Sequence, residues 1–195
     1  MLDCIEKLFN LKLTPPQKVV LQKKDQEGHS NRIQFCKEIK SLLNLSQYQD
    51  QIWEMIKTNI GKFVQLNKNA KEVLQELQKE YELVLLTNGG SKNQQNKIHQ
   101  TGLQDFFSHK KILISGTIGF SKPDPSAFQI VEQIFPSNAQ FYMVGDHWEN
   151  DIIGAKNVGW KAIYLDTKSE HSDFENVKTI SSLLELKQAL DEFRY

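Results

Sequence analysis

Apolar residues return every three or four positions through the first third of the chain. Leu2, Ile5, Leu8 and Phe9 do so, and so do the runs RIQFCKEIKSLLNL and DQIWEMIKTNIGKF. That period lays an apolar stripe along one side of an α-helix. Between these runs, Thr14 followed by Pro15 and Pro16 marks a helix start, because a first-turn N–H has no intrahelical partner to lose. No convincing strand pattern interrupts this part. Residues 1–64 are therefore expected to form an all-helical piece of three or four helices.

From Lys71 the pattern changes. NAKEVLQELQKEY is amphipathic, with Val73, Leu74 and Leu77 on one face, and it runs into Leu83-Val84-Leu85-Leu86, a short apolar run ended by turn residues. Such a run predicts a strand buried on both faces. A helix follows in SKNQQNKIHQTGLQDFF, broken at Thr101-Gly102. Further strands are expected in KKILISG, QFYMVGD and KAIYLD, with helices in DPSAFQIVEQIF, NDIIGAKNVG and SSLLELKQALDEF. Strand and helix thus alternate four times, which predicts an α/β, Rossmann-like parallel sheet with helices on its faces. The junction falls between Gly61 and Ala70, giving a helical part at 1–64 and an α/β part at 65–195. In such sheets ligands bind at the carboxyl ends of the strands.

Composition narrows the partners. Among 195 residues, 24 basic side chains balance 24 acidic ones. No global field draws the chain to nucleic acid or to an anionic membrane, so neither partner is expected. No apolar stretch approaches the ~20 residues of a membrane span. The start, MLDCIEKLFN, is acidic and amphipathic and is not read as a secretion signal. The two cysteines, Cys4 and Cys36, lack metal-ligand spacing and are expected to be reduced thiols in a cytoplasmic protein.

Three polar motifs sit where the strands should end. Thr87-Asn88-Gly89-Gly90 offers a hydroxyl, an amide and close backbone approach ahead of a helix, which suits an anion; the same residues also suit a plain strand-to-helix turn. Lys122 precedes a proline, and Pro125 helps to start a helix, so one lysine is pinned at a loop tip. It can hold a phosphate as a point charge or lie solvated. Asp146 and Asp151, five positions apart after an apolar run, either face Mg2+ or cap a helix start. His147, between them in sequence, is a ligand-facing group, a titrating neighbour of the acids or an exposed histidine, and Trp148 is expected to pack.

Together, in this order and spacing, TNGG, GFSKPDPSAF and VGDHWENDIIGAKNVG resemble the haloacid dehalogenase superfamily of phosphohydrolases. They are most similar to its branch of nucleotidase-like and dehalogenase-like members. The resemblance covers residues 65–190, and the N-terminal helices resemble the helical cap of that superfamily's subfamily I. It implies that Thr87, Asn88 and Gly89 bind the phosphoryl group of a small phosphorylated metabolite. It implies that Lys122 stabilises that group and the attacking carboxylate. Asp146 would ligate Mg2+, and Asp151 would support the metal directly or through water.

The resemblance also implies an Asp-x-Asp motif after a first strand, and these 195 residues contain none. Asp3 is rejected as the nucleophile, because no apolar strand precedes it and Ile5 stands where the second Asp belongs. The α/β part is therefore expected to lack its first, central strand, Mg2+ binding to be weak or absent, and turnover to be impaired. A non-catalytic phosphate-binding or regulatory module is the alternative. Since a buried gap leaves backbone groups unpaired, the strand ending at Leu86 is expected to pair with that ending at Val144, or another segment to fill the slot. A neighbouring copy could supply that strand, which makes a homo-oligomer an expectation too.

Overall fold

The structure is a computed structural model, and it describes residues 1–25, 30–167 and 175–194. Its internal contacts divide the chain into two compact units, Met1–Gln65 and Leu66–Tyr195. In the first unit, α1 (Leu2–Leu8), α2 (Pro15–Asp25), α3 (Arg32–Leu43) and α4 (Gln49–Asn59) surround one apolar cluster. Ile5, Leu21, Phe35, Ile39, Ile52 and Ile56 are fully buried in it, as are Cys4 and Cys36, both free thiols. Local chemistry sets the helix ends: Asn31 accepts a hydrogen bond from the N–H of Gln34 at the start of α3, and Asn44 closes it in the left-handed conformation. Asp3 lies on α1 rather than at a strand end.

In the second unit, α5 (Lys68–Leu77) leads to β1 (Leu85–Thr87), α6 (Ser91–Thr101), β2 (Ile112–Ile114) and the short α7 (Ser115–Ile118). After α8 (Pro125–Glu132) come β3 (Tyr142–Gly145), a π-helical turn at Trp148–Ile153, α9 (Gly154–Asn157), β4 (Lys161–Leu165), β5 (Val177–Ile180) and α10 (Leu186–Asp191). All ladders are parallel: β1 runs with β2, β3 with β4, and β4 with β5. This is the α/β, parallel-sheet architecture that the alternation predicts. Val177–Ile180, in the run NVKTI, forms a strand that the periodicity did not single out.

The expected pairing of the strands ending near Leu86 and Val144 is not what forms. Among the described residues, β1–β2 and β3–β4–β5 are two sheets, with no ladder joining β1 to β3. Alternation along the strands explains how this is tolerated. Val84 and Leu86 pack on the cluster that contains Met143, Phe128 and Ile152, whereas Leu83 packs on the opposite cluster with Tyr142, Val144, Ile163 and Leu190. The two strands thus cover the same two apolar layers with alternate side chains. All three residues of β1 and all of β3 but Met143 keep partial exposure, so neither strand lies wholly inside an apolar interior. For the same reason β1 is half-buried rather than buried on both faces.

Candidate functional site

The carboxyl ends of β1 and β3 are brought together by one side chain. Lys122 Nζ donates to the carbonyl of Leu86 in β1 at 2.9 Å and sits 2.7 Å from Oδ1 of Asp151 in the π-helical turn after β3. Both partners are withdrawn from water, with side-chain exposures of 9% and 7%. Glycine makes room for this pair: a Cβ on Gly145 would lie 2.3 Å from Asp151 Oδ2. The second carboxylate oxygen is also committed, because Oδ2 accepts the backbone N–H of His147 at 3.1 Å.

The loop that carries Lys122 is held by Asn88. The Asn88 amide donates to the Lys122 carbonyl at 2.8 Å, and its oxygen accepts the Lys122 N–H at 2.9 Å. Both polar ends of the side chain are therefore spent on the lysine's own backbone. The Lys122–Pro123 peptide bond is cis, and Asp124 then caps α8 by accepting from the N–H of Ser126.

Gly89 is equally committed. It has a φ of +144°, a region that side chains avoid, and its N–H donates to Ser115 Oγ at 2.9 Å. The Gly89 carbonyl accepts from the N–H of Gly116 at 3.1 Å. Thr87 closes β1 half-buried, and no side-chain hydrogen bond is found for it among the described residues. Asp146 follows β3 directly and is exposed.

The residues singled out from sequence thus gather at one place, with a division of labour that the spacing did not show. Lys122 is central. Thr87 and Asp146 present polar groups not spent on the scaffold, while Asn88, Gly89 and Asp151 hold neighbours in position. Sequence reasoning missed Ser115; its only signal was a serine near the end of the second predicted strand. His147 acts locally, with Nδ1 accepting the Asn150 N–H at 3.1 Å. Acceptance at Nδ1 places the neutral ring's proton on Nε2. Trp148 packs edge-on against Tyr164, ring centroids 5.2 Å apart. A depression of about 860 Å3 lined by Glu132, Phe135, Phe141 and Trp160 lies at the amino ends of β3 and β4, away from these groups.

Carboxylate oxygens are the donors that Mg2+ prefers. Here, however, Asp151 is occupied at both oxygens, and the described residues contain no group of three or more His, Cys, Asp or Glu placed to hold a metal ion. These side chains do not by themselves fit a Mg2+ site. Nor is any helix among the described residues long and apolar enough to cross a membrane.

Comparisons with known proteins bear on the same segment. A family model described as haloacid dehalogenase-like hydrolase matches residues 3–165. Pyrimidine 5'-nucleotidase YjjG from Escherichia coli is 36% identical over 110 residues, covering 54% of this chain and 48% of that protein. Glyceraldehyde 3-phosphate phosphatase from Pyrococcus furiosus is 34% identical over 132 residues, 63% of this chain and 53% of that protein. The chain spans about half the length of the curated relatives it matches. Among solved structures, YfnB from Bacillus subtilis, bound to magnesium, superposes with a TM-score of 0.81, covering 97% of this chain and 89% of that one. At 22% identity this last likeness is one of fold.

Proposed function

The chain belongs to the haloacid dehalogenase-like hydrolase family, and from that premise we propose that it handles phosphate monoesters of the nucleotidase or sugar-phosphate kind. The observation that carries the reading is the fixed lysine. A fully desolvated ammonium is costly, and a chain keeps one at a strand end only with compensating partners. Lys122 has Asp151, the Leu86 carbonyl and the Asn88 clasp on its backbone. Nζ has three N–H donors, and two are directed at protein oxygens. In this reading the third is the one directed at a phosphoryl oxygen, with the Thr87 hydroxyl as a second donor. Asp146 is the exposed carboxylate that remains at this strand end.

Catalysis is the finer part of the proposal. Family chemistry needs a carboxylate nucleophile, and these 195 residues contain no Asp-x-Asp. We infer that this chain by itself turns over slowly at best. The competing reading is a binding module that holds a phosphorylated ligand without hydrolysing it; the commitment of both Asp151 oxygens favours it.

Two measurements on the purified chain separate these readings. Orthophosphate binding, followed by titration calorimetry, is expected for the chain and expected to be lost in Lys122→Met. No binding by a folded wild-type chain would refute the phosphate-handling reading. Hydrolysis of p-nitrophenyl phosphate with and without Mg2+ then tests catalysis. Turnover that requires Mg2+ and disappears in Asp146→Asn would refute the binding-module reading.

A further inference from the structure

We propose that Ser115 is a positioning residue of this site, acting through Gly89 on the backbone of Lys122. The proposal deepens the phosphate-handling reading and rests on it for the ligand, but not for the geometry.

The argument starts at two consecutive peptide planes. In the Asn88–Gly89 plane, the carbonyl of Asn88 accepts from Gln94 Nε2 at 2.7 Å, and the N–H of Gly89 donates to Ser115 Oγ at 2.9 Å. In the Gly89–Gly90 plane, the Gly89 carbonyl accepts from the N–H of Gly116 at 3.1 Å and from Ser115 Oγ at 3.3 Å. A hydroxyl can both accept and donate, so one side chain ties both planes to α7. Two bonded planes restrict the Gly89 dihedrals, even at a glycine. Asn88, one residue upstream, holds the N–H and carbonyl of Lys122. Gly90, one residue downstream, is the N-cap residue of α6.

The fit of α7 against this turn is close. A Cβ on Gly116 would lie 2.8 Å from the backbone nitrogen of Ser91 and 2.9 Å from the Gly89 carbonyl oxygen. Beside it, Thr117 Oγ1 donates to Ser91 Oγ at 2.9 Å. Among the described residues the Ser115 hydroxyl bonds to Gly89 and not to Lys122. Its effect passes from Gly89 to Asn88 and on to the lysine backbone.

The test uses the full chain as wild type, Ser115→Ala and Ser115→Thr. Threonine keeps the oxygen and alanine removes it. In the wild type, the Gly89 amide should exchange with solvent at least about tenfold more slowly than its intrinsic rate, and fast exchange there would overturn the proposal even if no variant folded. In Ser115→Ala, Gly89 exchange should rise about tenfold. The Asn88 and Lys122 amide shifts should move, and the orthophosphate Kd should weaken about tenfold. Ser115→Thr should restore all three. Unchanged Gly89 and Lys122 signals in Ser115→Ala would overturn the proposal, as would a uniform rise in exchange across residues 66–195, which marks simple destabilisation. If the wild type binds no orthophosphate, the functional reading fails by that result alone, and the amide signals still judge the brace.

Discussion

Breaking the Lys122–Asp151 pair from either side should be costly, and breaking it from both sides should cost less than the two single losses together. At 2.7 Å and an effective dielectric of about 20, the gross attraction is about 6 kcal/mol. Desolvation of each ion offsets several kcal/mol of this. Removing one partner forfeits the attraction but leaves the other charge buried, which costs about 3–5 kcal/mol. Asp151→Asn leaves the ammonium with neutral acceptors only, the Leu86 carbonyl and the new amide oxygen, and Lys122→Met leaves the carboxylate with only the His147 N–H. Each single variant should therefore lose about 3 kcal/mol, the lower end of that range. Removing both leaves no unpaired charge, and the double variant should lose at least about 2 kcal/mol less than the sum of the singles. The assay is urea denaturation in a Trp53→Phe background, where Trp148 and Trp160 report on the second unit. Single variants within about 1 kcal/mol of wild type, or additivity within about 0.5 kcal/mol, would refute the claim of a buried, coupled pair.

Other perturbations should behave as follows. Asn88→Asp keeps an acceptor for the Lys122 N–H but cannot donate to its carbonyl; a loss of about 1–2 kcal/mol in the same denaturation assay is expected. Gly145→Ala meets Asp151 at 2.3–2.5 Å and should lose about 1–3 kcal/mol together with orthophosphate binding, whereas Gly90→Ala, with nothing within 4 Å of its Cβ, should change stability by less than about 1 kcal/mol. Burial pushes the Cys36 thiol from an ordinary 9.0 up to about 11. Its folded-state value lies above the unfolded one, so the neutral thiol's contribution to stability is fully present below pH 9 and is lost as pH rises through about 11. Urea midpoints should accordingly fall less between pH 9 and 11 in Cys36→Ala than in wild type, and native Cys36 should resist iodoacetamide at pH 8.

How much of this was legible beforehand divides along physical lines. Period and punctuation reported the element types well. The apolar run before Thr87, the Gly102 helix stop and the Asp124-Pro125 helix start depend on neighbours a few residues away, and the structure shows each of them. Val177–Ile180 was missed because Val-Lys-Thr-Ile sets its two apolar residues three positions apart, which gives neither strand alternation nor a continuous apolar run. Its strand character comes from the ladder to β4, a contact that no local window contains. The pairing of β1 with β3 was expected from the cost of unpaired backbone, and that cost applies only where water is shut out.

The same distinction governs the site. Lys122, Thr87 and Asp146 were identified from residue type and place, but type does not reveal what a group is already bonded to. Asn88 and Gly89 have the chemistry of an anion cup and spend it on Lys122 and Ser115. Asp151 has the chemistry of a metal ligand and spends it on an ammonium and a backbone N–H. Each of these bonds except the one to the His147 N–H spans more than twenty positions of sequence. A polar group's availability is what remains after such bonds are counted, because a bonded donor must be released before it can serve a ligand. By that count the groups of these motifs not spent on the scaffold are the third donor of Lys122, the Thr87 hydroxyl and the Asp146 carboxylate. On the proposed phosphate-handling reading, the remaining motif residues serve a ligand only through the position in which they hold that lysine.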